Sequence, residues 1–297
     1  MSILNRQNDG LLSVLIALRR AILAYGLQPE ADLLALVAPD TVVPEPDQAK
    51  QTLRRWKQLG LFEENDGRIA MTETIARIPE EDRDQLRAEI LRLVLLPENN
   101  PKLLADESEE QELSRASDCT RALAWALAQD PYSFPTNFRG AEALQNGQGL
   151  QPRPFQNDTR WTGFLEWATF LGIVTRATRS SVIVNPWFAV GSVMGELFGG
   201  VSSLAQNEFL QRLRSLIPIL DGGHYRVTID GATPRPWRDR VERDVSPTLS
   251  LALLTLEAEG TLRLEHRSDA VSCRLLGREG RELRAITHLQ YVGGARS

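Results

Sequence analysis

Residues 49–71 read AKQTLRRWKQLGLFEENDGRIAM and carry the strongest structural signal in the chain. Apolar residues at positions 49, 53, 56 and 59 recur at helical spacing, which predicts an amphipathic helix. Gly60 ends this helix, because glycine readily adopts the left-handed conformation that follows many helix C-termini. Two short β-prone runs then flank Asn65-Asp66-Gly67, a sequence typical of a tight hairpin turn. The stretch therefore predicts a helix followed directly by a two-stranded hairpin.

Two further helices are predicted before this one. The first is capped by Asp9, repeats leucine and isoleucine at helical spacing, and ends at Gly26. The second begins near Pro29-Glu30, since proline is favoured at the start of a helix. Three helices followed by a hairpin are the arrangement of a winged helix-turn-helix. We predict this domain for residues 1–78.

The pattern of helix, glycine and hairpin occurs twice more. Its second copy ends at Leu171-Gly172 and continues in strands at 173–175 and 182–184. Its third copy starts with Ser246 as the N-cap, and its predicted wing pairs residues 261–265 with 270–275. Chance repetition of a common local pattern is the alternative explanation. The predicted fold class is α+β, mostly α with small β-hairpins, built from tandem winged-helix-like domains.

The domain boundaries follow from these copies. Two winged-helix-like domains are predicted at residues 135–200 and 201–297. A helical linker at residues 79–134 joins them to the first domain. It contains an amphipathic helix at 84–96 and an acidic stretch that precedes a second helix.

The composition is that of a globular protein, with 42% hydrophobic and 25% charged residues and a net charge of −5. Two cysteines cannot form a disulfide framework, which favours a reducing compartment. The apolar runs are too short or too interrupted to span a membrane, so we expect a cytoplasmic protein. The acidic balance is not typical of a nucleic-acid binder, and any DNA contact must come from a local patch.

The sequence contains no common catalytic motif. A P-loop, a Gly-x-Ser-x-Gly elbow and an Asp/Glu-x-Lys nuclease motif are missing, and the three histidines lack metal-ligand spacing. We therefore expect no enzymatic activity, no cofactor and no metal site. Asp221, His224, Asp230 and His266 form the one group that a folded third domain could bring together, although polar loop residues explain the pattern more simply. Cys119 and Cys273 are expected to be buried apolar residues rather than nucleophiles.

Two basic features are candidate DNA-binding sites. One set of polar and cationic residues lies on the outer side of the helix at 49–59 and on the returning strand of its hairpin. An arginine of this set could bind the edge of a guanine or a phosphate group. This set is Lys50, Gln51, Arg54, Arg55, Lys57 and Arg68. The second feature is a secondary basic patch of Arg235, Arg238, Arg240 and Arg243. A solvated helix face is the alternative for the first set, and internal ion pairs are the alternative for the second.

Two stretches carry a resemblance to a known family: NDGLLSVLI at residues 8–16 and QTLRRWKQLGLF at residues 51–62. They resemble the G component of the bacterial Dpd islands, which place 7-deazaguanine derivatives in DNA and restrict unmodified DNA. Winged-helix proteins of other defence islands are the alternative source of the resemblance. It implies a cytoplasmic accessory protein that acts beside helicase, nuclease or ATPase partners, with no catalytic residues to carry over.

Together these observations predict a non-enzymatic adapter in a bacterial DNA-modification, restriction or phage-defence system. Its first winged helix is expected to contact double-stranded DNA, and its later domains other proteins of the complex. The alternatives are a protein–protein scaffold without DNA contact and a transcriptional regulator. No membrane partner is expected, and self-association into a homo-oligomer stays open.

Overall fold

The computed structural model describes residues 3–4, 11–39, 47–105, 115–178, 181–238, 241 and 243–293. Helices and small, mostly antiparallel sheets confirm the predicted α+β class. The chain forms two compact units. The first comprises Met1–Thr120 and Phe155–Trp167, and the second comprises Arg121–Pro154 and Ala168–Ser297. Within the described residues, no helix is long and apolar enough to cross a membrane.

The first unit begins with the helices and the hairpin predicted from the sequence. The elements are α1 (Leu12–Tyr25), β1 (Gln28–Pro29), α2 (Glu30–Val37), α3 (Asp47–Gln58), β2 (Phe62–Asn65) and β3 (Arg68–Met71). The sheet order is β1-β3-β2, with both pairs antiparallel. Asp66 and Gly67 both have positive φ, the conformation that a two-residue hairpin turn requires. The predicted cap Asp9 lies outside the described residues.

Two helices continue the first unit, α4 (Glu73–Ala76) and α5 (Arg83–Leu95). The side chain of Asp82 accepts a hydrogen bond from the Gln85 backbone and caps α5. Two more helices, α6 (Ser117–Leu127) and α8 (Asp158–Phe170), each contribute residues to both units. The four segments predicted from the sequence are more numerous than these two units, and their boundaries stay predictions.

The core of the first unit is aromatic. Trp56 on α3 and Trp167 on α8 are both fully buried, with ring centroids 5.3 Å apart. Phe155, Trp161 and Phe164 pack against one another, at centroid distances of 5.0–5.5 Å. Full burial of a tryptophan is among the largest single contributions to stability, since truncation costs about 3–5 kcal/mol.

The second unit is also helical with small sheets. Its helices are α7 (Phe138–Gln148), α9 (Trp187–Ser192), α10 (Met194–Phe198), α11 (Gln206–Leu216), α12 (His224–Gly231) and α13 (Pro247–Ala258). Its strands are β4 (Val174–Arg176), β5 (Val182–Val184), β6 (Ser203–Ala205), β7 (Asp244–Val245), β8 (Leu262–Glu265), β9 (Cys273–Leu276), β10 (Glu282–Ile286) and β11 (His288–Tyr291). The β4–β5 hairpin confirms the second predicted hairpin. Ser246 caps α13 and Pro247 is its first residue, as predicted.

The third predicted wing is wrong. β8 does not pair with β9 but with β11, which lies between β6 and β8. β9 instead lies between β10 and β7, so both of its edges are already occupied. The prediction paired strands that are neighbours in the sequence, whereas the chain leaves the sheet after Glu265 and returns at His288.

The two units share one order of elements. The first unit contains the series α1-β1-α2-α3-β2-β3, and the second contains the corresponding series α10-β6-α11-α13-β8-β11. In each series the last strand lies in the middle of a three-stranded sheet. The second unit adds α12 and β7 before α13, and β9 and β10 between β8 and β11. The recurrence is therefore one of topology, interrupted by insertions.

Gly163 provides a test of the packing in the first unit. A Cβ at this position of α8 would lie well inside van der Waals distance of the Leu4 carbonyl oxygen. We expect Gly163→Ala to lower the free energy of unfolding by about 1–3 kcal/mol, because backbone has to move. Urea denaturation followed by tryptophan fluorescence measures the change.

Gly147→Ala on α7 is the matched control. Apart from its chain neighbours and the backbone of its own helix, no atom of the described residues lies within 4 Å of a methyl group added there. Alanine is favoured over glycine in a helix by roughly 0.5–1 kcal/mol, so this variant should be neutral or more stable. Equal stability of the two variants would contradict the close approach of Leu4 to α8.

Candidate nucleic-acid interface

α3 has an apolar side and a cationic side, as its sequence predicts. Ala49, Leu53 and Trp56 are at most 2% exposed and attach the helix to the core. Asp47 lies in the first turn and Arg55 and Lys57 in the last, which matches the helix dipole. The apolar side therefore determines which side chains α3 presents to solvent.

Lys50 and Arg54 lie on that outer side. Both are exposed, and a spacing of four residues places them on one face of the helix. Gln51 is half-buried next to them, and Arg68 is exposed at the start of β3. These four of the six predicted residues are accessible to a ligand.

The burial of Arg55 argues against the predicted contact of this residue with DNA. Its side chain is fully buried, and its Nη1 donates hydrogen bonds to the carbonyl oxygen of Arg115, at 3.3 Å, and to Gln58 Oε1, at 3.5 Å. A guanidinium in this position cannot reach a phosphate without leaving the core. Arg55 follows Arg54 in the sequence, but the helical rotation of about 100° per residue turns it inward.

Lys57 is engaged in ion pairs. Its Nζ lies 2.6 Å from Glu64 Oε2 and 3.7 Å from Glu30 Oε2, and 26% of its side chain is exposed. Pairs of this kind near the surface are worth about 0.2–1 kcal/mol, so a phosphate could displace the glutamates at small cost. The hairpin also exposes Glu63 and Asp66, which repel phosphate.

The secondary basic patch divides into paired and exposed arginines. Arg238 Nη2 lies 2.7 Å from Asp244 Oδ2, and its Nη1 donates to the Gly280 carbonyl oxygen at 2.8 Å. Arg235 and Arg243 are exposed, and Arg240 lies outside the described residues. Arg238 thus fits the alternative of internal ion pairs.

The final helix of the second unit differs from α3 in its exposure. Seven residues of α13 are buried, spread around its circumference. Its acidic residue Glu257 accepts hydrogen bonds from the Leu264 backbone N–H and from the Arg284 guanidinium. The helix therefore offers no cationic face to a phosphate backbone.

The residues considered for catalysis are only partly brought together. Asp221 and Asp230 both bind Arg226, at 3.5 Å and 2.8 Å. No hydrogen bond joins His224 or His266 to these aspartates in the described part of the chain, where both histidines are exposed. Over the same residues, the structure contains no group of three or more His, Cys, Asp or Glu that could hold a metal ion.

Both cysteines are free and buried, as expected. Burial raises the pKa of the Cys119 thiol well above its usual value and that of Cys273 to about 11. A raised pKa keeps the thiol protonated at neutral pH, and only the thiolate is a good nucleophile.

The sequence did not reveal a cavity of about 210 Å³ in the second unit. Gln129, Arg226 and Trp237 line it together with Asp221 and Asp230. Its residues come from segments about a hundred positions apart, and no motif or spacing connects them. Asp221, Asp230 and Arg238 are the lining residues to which the sequence had pointed, each as part of another group.

The model of the DpdG-like family matches residues 1–270. The chain belongs to the DpdG-like family. Membership associates it with the Dpd system of DNA modification and defence and confirms the resemblance noted in the sequence. Neither the curated proteins nor the solved structures contain a significant match.

Alanine substitution of Arg54 and of Arg55 tests whether Arg54 lies on the exposed side of α3 and Arg55 on its buried side. Arg55→Ala should lower the free energy of unfolding by about 1.5–3 kcal/mol, because it deletes a buried charged side chain together with the hydrogen bonds that this side chain donates. Arg54→Ala should change it by no more than about 0.5 kcal/mol, as expected at an exposed position. Chemical denaturation of both variants measures the difference, and equal values would show that Arg55 is not part of the core.

Proposed function

We propose that this protein is a non-enzymatic, cytoplasmic adapter of a Dpd system that contacts duplex DNA through its first unit. In this proposal α1–α3 and the β2–β3 hairpin act as a winged helix, and α3 is its recognition helix. Other proteins of the system bind elsewhere on the chain. The observation that carries the proposal is the exposed cationic side of α3.

Lys50 and Arg54 supply the first contacts. They stand one helical turn apart, with their charges away from the core, where a major groove could receive them. Arginine can bind guanine or phosphate with two hydrogen bonds, and lysine acts on phosphate as a point charge. Gln51 and Arg68 flank these two cations, while Arg55 is excluded by its burial.

The negative charge of the chain limits the strength of this contact. With a net charge of −5 and exposed acids on the hairpin, long-range attraction to DNA is weak. We therefore propose that partner proteins or a modified base supply much of the affinity in the assembled system. The isolated chain should bind detectably only at low ionic strength.

A scaffold without DNA contact is the second candidate. Among the described residues of the first unit, three large apolar side chains are exposed: Tyr25 at 63%, Leu27 at 47% and Leu36 at 47%. They lie close together in sequence at the end of α1, beside β1 and on α2. Exposed apolar groups of this kind favour a protein partner over a phosphate backbone.

Fluorescence anisotropy of the full chain on a labelled duplex, titrated over a series of salt concentrations, tests the proposal. The Lys50→Ala/Arg54→Ala double variant should bind more weakly and show a shallower dependence of log K on log salt. The slope should fall by about 1 for each phosphate that the variant no longer neutralises.

The control is Arg20→Ala/Arg77→Ala, which removes the same number of cations from the first unit. These two side chains are 67% and 75% exposed and do not lie on α3. An equal loss of affinity in both double variants would indicate a general charge effect and contradict the α3 contact. No binding of the unaltered chain at low salt would favour the scaffold.

A further inference from the structure

The cavity of the second unit has the features of a binding site for a small molecule. Its volume is about 210 Å³, below the roughly 300–1,000 Å³ of sites for drug-sized ligands. A cavity of this volume suits a ligand with one ring or one fused ring system. Its polar lining includes Gln129, Gln148, Asp221, Arg226 and Asp230, and Trp237 contributes an aromatic surface.

Hydrogen bonds fix two side-chain amides on one side of this cavity. Gln148 Oε1 accepts from Trp125 Nε1 at 2.8 Å, and Gln148 Nε2 donates to Gln129 Oε1 at 2.7 Å. Gln129 Nε2 in turn donates to the Trp125 carbonyl oxygen at 2.8 Å. Both glutamines are 4% exposed, so this side of the cavity is rigid.

Arg226, which lines the cavity, has one donor atom without a partner among the described residues. Its side chain is only 10% exposed, its Nε donates to Asp230 Oδ1 at 2.8 Å, and its Nη1 donates to the Leu127 carbonyl oxygen at 2.9 Å. Among the residues that the structure describes, nothing accepts a hydrogen bond from Nη2, and nothing donates one to Asp230 Oδ2. A donor and an acceptor therefore lie on two side chains that are hydrogen-bonded to each other.

The charges around the cavity argue against an anionic ligand. Arg226 is paired with Asp221 and Asp230, and Arg238 is paired with Asp244. Three carboxylates thus accompany two guanidinium groups in the lining. A phosphate or carboxylate would meet an excess of negative charge, whereas a neutral ligand leaves the ion pairs intact.

Trp237 adds a flat wall of fixed orientation. Its indole Nε1 donates a hydrogen bond to the Ala128 carbonyl oxygen, which ties the polar edge of the ring to the protein. The remaining aromatic surface contributes to the lining of the cavity. Stacking on such a surface is favourable for any planar ring and needs no charge.

We propose that this cavity binds a neutral planar heterocycle that carries a hydrogen-bond acceptor next to a ring N–H donor. Its acceptor takes a hydrogen bond from Arg226 Nη2, its N–H donates to Asp230 Oδ2, and its face lies against Trp237. Cyclic amides of the nucleobase type have this edge. The site lies within the second unit and does not depend on DNA contact by the first.

Uracil and 1,3-dimethyluracil are matched probes, because methylation removes the N–H donors and keeps the ring and its carbonyl groups. Saturation-transfer NMR with the full chain, without DNA, should show binding of uracil and not of the dimethyl compound. Inorganic phosphate should not compete. Binding of both compounds to the same extent, binding of neither at millimolar concentration, or competition by phosphate would overturn the proposal.

Asp230→Asn tests the acceptor with little change in shape. The amide oxygen can still accept from Arg226 Nε, but its nitrogen faces the ligand N–H as a second donor. We expect uracil to bind about tenfold more weakly or worse. Asp269→Asn, at an exposed turn, is the control and should bind uracil normally.

Thermal unfolding shows whether Asp230→Asn is folded. If it is not, Trp237→Leu replaces it as the test, because it removes the aromatic wall without touching the Arg226 ion pairs. Uracil binding that survives in the folded variant used would overturn the proposed site.

Discussion

The packing of α3 against the core of the first unit determines what the rest of that unit can present to a partner. Trp56 is fully buried against Trp167, and Leu53 is buried one turn earlier. Loss of such a tryptophan costs about 3–5 kcal/mol, far more than any surface ion pair. The rotation of α3 about its axis is therefore fixed by apolar contacts, and the exposure of Lys50 and Arg54 is a consequence of them.

The same constraint explains which parts of the structure could be predicted. The periodicity of α3, the glycine at 60 and the Asn65-Asp66-Gly67 turn are local signals, and each led to the observed element. The burial of Arg55 is different, because it depends on a carbonyl group 60 residues further along the chain. The pairing of β8 with β11 and the cavity around Arg226 are also long-range features without a local pattern.

The two units use a similar order of elements for different purposes. In the first, the helix before the final two strands is buried on one side and cationic on the other. In the second, the corresponding α13 is buried around much of its surface, and its Glu257 is bound within the unit. The second unit instead has a cavity lined by a side-chain donor and a side-chain acceptor that have no partner among the described residues. A shared topology therefore does not imply a shared mode of binding, and function has to be argued from each surface separately.

Directed cleavage of bound DNA tests whether α3 approaches the duplex. An iron–EDTA reagent is attached to Asp47→Cys on α3, or to Glu259→Cys at the end of α13 as the control; both positions are exposed. The native thiols are buried and protonated, so the reagent should couple to the introduced cysteine. If α3 is the recognition helix, bound DNA should be cleaved from position 47 and not from position 259. Cleavage from neither position, or from 259 alone, would contradict it.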